Sequence, residues 1–279
     1  MLYLLKNKLN ALIKKIKNLD SVLVAFSGGT DSTLLLAAAK EAVGKKCLGV
    51  TIDAPIFSRE EISQAQLLAQ NLGIRHMIIK ADPLIIPEFK NNVPQRCYYC
   101  KRNLFEELIK LARHKNIPYI LDGTNADDSF DYRPGLRAIK ELGIISPLWE
   151  VGLIKGEIRE ILKEWKFSNW NRASQACLAT RIPYGEQITP KKLRQVEQAE
   201  RFLKNMGFSE MRVRLHGPIA RIEIPEEHFK LILHRSTRKK ITAAFESLGI
   251  PFTAVDLSGF RSGSLNRLLP KEENRNNEK

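Results

Sequence analysis

The sequence has 279 residues, of which 43% are hydrophobic, 27% charged and 8% aromatic, an ordinary globular composition long enough for one large or two smaller domains. No apolar run approaches the ~20 residues that cross a bilayer, and the stretch opening at Met1 lacks a leader's apolar core and cleavage site, so no membrane contact and a cytoplasmic location are expected. The net charge of +14 attracts polyanions, RNA and phosphorylated small molecules alike, and does not choose between them.

In chain order, residues 1–19 place Leu2, Leu5, Leu9, Leu12, Ile13 and Ile16 at helical spacing with lysines opposite. Ser21–Phe26 is a short continuous apolar run that reads as a buried strand, followed by Ser27-Gly-Gly-Thr-Asp-Ser32 and a Leu/Ala-rich helix over Thr33–Val43. Strand Cys47–Ile52, helix Arg59–Leu72 closed by Gly73, and strand His76–Lys80 continue the alternation. A helix over Leu104–His114, a strand over Tyr119–Asp122 and helices around Leu136–Leu142 and Lys155–Trp165 follow. Such alternation predicts an α/β fold with a doubly wound parallel sheet.

Beyond Pro190 the pattern changes to helix Lys191–Met206, strands Met211–Leu215 and Ala220–Ile224, helix His228–Leu248 and strand Thr253–Leu257. This order predicts a small C-terminal α+β domain over 187–269, after a first domain over 1–186. Residues 270–279 are nearly all polar or charged, a composition expected of a disordered tail.

Ser27–Ser32 lies between a buried strand and a helix, where backbone N–H groups converge into an anion site. Gly28 and Gly29 let the backbone approach phosphate oxygens, Ser27 and Ser32 add hydroxyls, and Asp31 suits holding the loop or placing Mg²⁺. No lysine follows, so the loop is not a Walker A motif. A ligand in such a fold lies over the carboxyl ends of the strands. That nominates Thr51 after the second strand, and Asp122-Gly123-Thr124-Asn125 with Asp127 and Asp128 after a later one. Read by themselves, these stretches have plainer alternatives, a capped β-to-α turn for the first and a polar turn for the Asp-Gly-Thr-Asn run.

Four cysteines are too few for a disulfide framework in a chain this long. Cys97 and Cys100 stand at chelate spacing between Arg96 and Lys101, and Cys177 lies in a polar, Gly/Pro-bearing stretch. Three thiolates can hold three irons of a 4Fe-4S cluster and leave the fourth open. Zinc completed by His76, His114 or His216 is the competing reading, and inert buried thiols the third. Cys47, in a strand with Leu48 and Val50, reads as core.

The phosphate loop in its setting resembles that of the ATP-pyrophosphatase (PP-loop) superfamily. Further stretches make the whole chain similar to the LarE-type ATP-dependent sulfur transferases: Arg96-Cys-Tyr-Tyr-Cys-Lys-Arg102, Asp122-Gly-Thr-Asn125, Asp131-Tyr-Arg-Pro-Gly-Leu-Arg137, Ser146-Pro-Leu148, Ala176-Cys-Leu-Ala-Thr-Arg-Ile-Pro-Tyr-Gly185, Arg212-Val-Arg-Leu-His-Gly217 and Ala220-Arg-Ile-Glu223. Trp170-Asn-Arg-Ala173 departs from the Asp-Lys-Pro-like run expected of that family.

The resemblance implies ATP and Mg²⁺ as cofactors and the nucleotide pyridinium-3,5-biscarboxylic acid mononucleotide as substrate. ATP adenylates a carboxylate and pyrophosphate leaves; the acyl group then takes sulfur and loses AMP, and a second round gives the bis-thiocarboxylic acid of nickel-pincer cofactor synthesis. Ser27, Gly28, Gly29, Asp31, Ser32, Thr51, Asp122, Gly123, Thr124 and Asp127 are thereby expected at ATP. Arg181, Glu200, Arg212 and Arg214 are expected at the substrate phosphate. Members with a cysteine only at the position of Cys177 give up its own sulfur. The presence of Cys97 and Cys100 as well implies a 4Fe-4S cluster on Cys97, Cys100 and Cys177, with sulfide or a sulfur-donor protein to reload it. A homo-oligomer is also implied.

Two other classes compete. A tRNA thiolase would put the positive charge on RNA, but no RNA-binding module or aromatic-basic interleaving is recognisable. A nucleotide- or RNA-binding module without turnover would bind ATP and release no pyrophosphate.

Overall fold

The computed structural model describes residues 3–130, 134–172 and 176–261. Asp131–Arg133, Ala173 and the tail 270–279, which figure in the motifs and expectations above, lie outside them. The described elements, in chain order, are α1 (Tyr3–Lys17), β1 (Val22–Ala25), α2 (Thr30–Val43), β2 (Cys47–Asp53), α3 (Arg59–Asn71), β3 (Arg75–Lys80), α4 (Pro87–Lys90), α5 (Arg96–His114), β4 (Tyr119–Leu121), α6 (Pro134–Glu141), α7 (Pro147–Glu150) and α8 (Lys155–Glu164). They continue as α9 (Pro190–Asn205), β5 (Arg212–His216), β6 (Ile219–Glu223), α10 (Phe229–Leu233), α11 (Arg235–Ser247) and β7 (Phe252–Val255).

The chain divides into two compact units, one of 1–86 with 95–175, the other of 87–94 with 176–278. The division therefore falls before Cys177 rather than after Glu186, and α4 belongs with the second unit. The reason is local bonding: Asn92, fully buried, donates from Nδ2 to the carbonyls of Ile182 (3.2 Å) and Pro183 (2.6 Å). Gly185 and Ile188 in turn donate to the carbonyls of Asn92 and Lys90.

In the first unit four parallel strands stand in the order β3-β2-β1-β4, flanked by helices. β1 is buried on both faces, which is why its sequence is a continuous apolar run rather than an alternating one. Val22 and Val24 pack with Leu5, Leu9, Leu12 and Ile16 of α1, with α2 and with α8; Leu23 packs on the other face with Leu48, Val50, Leu108 of α5 and Ile139 of α6. The two-residue period of the strand thus serves two cores at once. α5 begins at Arg96, eight residues before the predicted start at Leu104, and so carries both Cys97 and Cys100.

In the second unit β5 and β6 form an antiparallel hairpin turning at Gly217, and β7 adds parallel to β6 after the helices. Thr189 caps α9 by accepting from Lys192 N, with Pro190 in the first turn. The single helix expected over His228–Leu248 is two, because His234 takes an extended backbone between α10 and α11. Its Nδ1 stands 2.9 Å from Ser236 Oγ, a local bond that competes with continuing the helix. Among the described residues no helix is long and apolar enough to cross a membrane.

Candidate active site

The loop from Phe26 to Gly29 joins the most buried strand to the start of α2. Gly28 has φ +72°, and a Cβ there would stand 3.0 Å from Ala65 Cα of α3, so both backbone conformation and space require glycine. No side chain caps α2 at Gly29, which leaves its first N–H groups for an anion. The loop's carbonyls are occupied instead: Gly29 O accepts from Thr33 Oγ1 (2.7 Å) and Ser32 Oγ (3.2 Å). Gly28 O accepts from Asn169 Nδ2 (3.2 Å) and, more distantly, from the Arg172 guanidinium (3.5 Å). Ser27 Oγ and Ser32 Oγ lie 3.1 Å apart across the turn. With acceptors satisfied from within, donors are what the loop offers.

The strand order reverses direction between β1 and β4, the switch point at which parallel sheets open a crevice. A cavity of about 430 Å³ lies there, lined by Ser27, Gly29, Asp31 and Ser32 from the loop, Thr51 from β2, and Asp122, Gly123, Thr124 and Asp128 from the turn after β4. Gly123 brings that turn onto α2, since a Cβ there would stand 3.1 Å from Ser32 N. Val50, Leu104 and Phe105 give the cavity an apolar wall.

Three cations enter the cavity from outside the loop: Lys101 of α5, Lys155 of α8 and Arg172. Lys155 Nζ stands 2.6 Å from Asp31 Oδ2, and Lys101 Nζ 3.4 Å from Asp122 Oδ2. Asp122 is held further by the hydroxyls of Thr124 (2.6 Å) and Ser146. Thr51 donates its one hydroxyl proton to Phe26 O (2.7 Å), so His76 Nε2, 2.8 Å away, carries the hydrogen of their bond. Burial holds His76 below the usual histidine range. Asp127 is exposed and does not line the cavity: its carboxylate accepts from Lys155 N (2.8 Å), which places it at the start of α8 rather than at a phosphate.

The cysteines separate by environment. Cys47 is buried in β2, and burial pushes its thiol up to about 12, only partly countered by the Arg75 charge. It is core, as expected. Cys97 is exposed and Cys100 buried, three residues apart on one side of α5. Lys101, on the same helix, is one turn or about 6 Å of rise beyond Cys97. Cys177 belongs to the second unit, just before a 3-10 turn over Leu178–Arg181; its carbonyl accepts from Thr180 Oγ1 (2.7 Å) and Arg181 (3.2 Å). Among the described residues no three His, Cys, Asp or Glu side chains gather as a metal site. Of the histidines weighed for zinc, His76 Nε2 is engaged by Thr51, His216 Nε2 accepts from Arg221, and His114 is exposed at the end of α5.

The four residues expected at a substrate phosphate all fall in the second unit. Arg181, buried, grips both Glu200 oxygens (2.9 and 3.2 Å) and the carbonyls of Ala176 and Cys177. Arg214, buried, grips both Glu223 oxygens (3.1 and 2.9 Å) and Thr180 O (2.6 Å). Each therefore spends its guanidinium largely on internal partners. Arg212 lies over the Phe260 ring, 5.1 Å from its centroid, and donates to Met211 O. Burial, with Arg181 and Arg214 beside it, lowers its pKa to about 10, still cationic at neutral pH.

A family model described as NAD synthase matches residues 2–118, the portion bearing the phosphate loop and the first strands. The match that decides is longer. Over 270 residues, 96% of this chain and 97% of the relative, the sequence is 37% identical to the pyridinium-3,5-bisthiocarboxylic acid mononucleotide synthase of Lactiplantibacillus plantarum. The chain belongs to the LarE family. A second full-length relative, slr1717 of Synechocystis, is 38% identical over 96% of this chain and all of its own length. An NH(3)-dependent NAD(+) synthetase of Pyrococcus furiosus is 38% identical over 67 residues, 24% of this chain and 25% of that one. This LarE family chain thus shares its N-terminal part with NAD synthetases and nearly its full length with the bisthiocarboxylic acid mononucleotide synthase. Lys155, Asn169 and the cavity-facing role of Arg172 were not anticipated; each reaches the loop from more than a hundred residues away, and no local motif marks them.

Proposed function

We propose that this LarE family member adenylates the carboxylates of pyridinium-3,5-biscarboxylic acid mononucleotide with ATP and converts them to thiocarboxylates. The observation that carries the reading is a phosphate loop completed by Lys155 in a cavity whose wall is α5, the helix that bears the thiol pair. A carboxylate resists nucleophiles until its oxygen joins a good leaving group. In the first step that oxygen attacks the α-phosphorus of ATP and pyrophosphate departs. The N–H groups of α2, Lys155 and Arg172 stabilise the departing charge, while Asp31 and Asp128 are the carboxylates placed to meet Mg²⁺ on the phosphates. In the second step sulfur attacks the acyl carbon, forming the C–S bond as the C–O bond to AMP breaks.

Cys97 and Cys100 fit the chemistry of an iron–sulfur ligand pair, two thiols on one side of a helix at its N-terminal end. With Cys177 as third ligand they would hold a 4Fe-4S cluster, which when bound supplies the transferable sulfur. Arg212, stacked on Phe260 and cationic, is the residue of the arginine group suited to the substrate's phosphate; Arg181 with Glu200, and Arg214, position it and the backbone around Cys177.

Anaerobic purification with iron, sulfide and zinc analysis, run beside a pyrophosphate-release assay, tests both halves. The expected result is about four irons per chain, and pyrophosphate released only when the biscarboxylate is supplied. In Cys97→Ala iron and thiocarboxylate are lost while acid-dependent pyrophosphate release persists. Stoichiometric zinc or no metal would overturn the cluster, and pyrophosphate release independent of the acid would overturn the adenylation.

A further inference from the structure

At the other end of the parallel sheet, beside the residues that open β1, β2, β3 and β4, lies a second cavity of about 340 Å³. Lys46, Arg75 and Lys115 line it, and no carboxylate is among its lining residues. Lys46 has one counter-charge, the exposed Asp20. Ser21 and Asn116 add a hydroxyl and an amide at the rim, and Leu48, Met77 and Ile117 contribute apolar surface. Three like charges around one opening repel each other, and a multivalent anion seated among them reverses the sign of that interaction. The volume accommodates a mononucleotide, and the mixture of cations with an apolar surface matches a phosphate joined to a flat organic body.

We propose that this rear cavity is a second anion site, which takes a phosphate-bearing ligand of mononucleotide size and is separate from the ATP cavity. His76 lies in its wall, and the Nε2 of that ring is bonded to Thr51, a lining residue of the ATP cavity. The imidazole therefore lines the rear cavity while its ring is bonded to a side chain of the ATP cavity, and it reports on the rear site without a turnover assay.

The test follows the ¹H–¹⁵N imidazole signals of His76 in the full chain, with the ATP cavity first saturated by a non-hydrolysable ATP analogue. AMP and inorganic pyrophosphate are then titrated separately. A saturable shift of the His76 signals is expected. It weakens with added salt and loses at least about tenfold in apparent affinity in the double variant Arg75→Gln/Lys115→Gln, as two lost charge-assisted contacts require. AMP binding more tightly than pyrophosphate would mean the apolar surface takes the base; equal affinity would mean the site reads phosphate alone. Both replaced side chains are exposed, so the variant is expected to unfold at the wild-type temperature. The absence of a saturable shift with either anion, or a double variant that is folded and binds like the wild type, would overturn the proposal.

Discussion

The two units hold their charges in opposite ways. In the first, Lys155 with Asp31 and Lys101 with Asp122 are single pairs at the edge of an open cavity, and each lysine is a quarter to a third exposed (23% and 34%). In the second, Arg181 and Arg214 are 3% and 6% exposed and each is gripped by both oxygens of a glutamate. A solvated pair is worth at most about 1 kcal/mol, so a phosphate can take one partner away at little cost. A buried bidentate pair whose partner is removed leaves an uncompensated charge. The first arrangement is built to exchange partners and the second to stay as it is, which is why net charge alone says nothing about where a ligand binds.

Breaking the internal pair has the largest expected effect. Glu223 is fully buried and faces both Arg214 and Arg221, so Glu223→Gln is expected to cost about 3–5 kcal/mol of stability, read by urea unfolding. A loss below about 1 kcal/mol would mean the two units do not differ in kind. Lys155→Ala is expected to do the reverse, lowering kcat/KM for ATP by about 10- to 100-fold. Its unfolding midpoint should barely move, because the Asp31 pair is partly solvated. The smallest change is Asp127→Ala, which removes an exposed acceptor at the start of α8. It is expected to cost about 1 kcal/mol, with a modest rise in the KM for ATP as Lys155 loosens. A loss of pyrophosphate release as large as that of Lys155→Ala would return Asp127 to the phosphates.

Much of the first unit was legible because its signals are local. β1 opens with three fully buried residues and is followed, after Phe26 and Ser27, by two glycines, and α1 repeats its leucines at three- and four-residue spacing. The phosphate loop was legible for the same reason: its glycines and hydroxyls lie within six consecutive residues, although Ala65, Lys155, Asn169 and Arg172 reach it from afar. The start of α5 was not, because its first two turns bury Arg96 and Cys100 where a helix ordinarily buries aliphatic residues, and no side chain caps it at Gln95. Lys155 was hidden by distance; a loop without its own lysine gives no hint that another helix supplies one. The arginine cluster was legible in its residues and not in its roles, since only the structure reveals that Arg181 and Arg214 are already engaged by Glu200 and Glu223.

The placement of Cys97, Cys100, Lys101, Leu104 and Phe105 on a single unbroken α5 makes that helix a clock as well as a scaffold. Each residue advances the direction of the side chains by about 100° around the axis. An alanine inserted between Cys100 and Leu104 would keep every existing side chain and every charge in the sequence, yet swing Cys97 and Cys100 a quarter of a turn or more relative to Leu104 and Phe105. Point substitutions along this stretch can drift. Its length cannot.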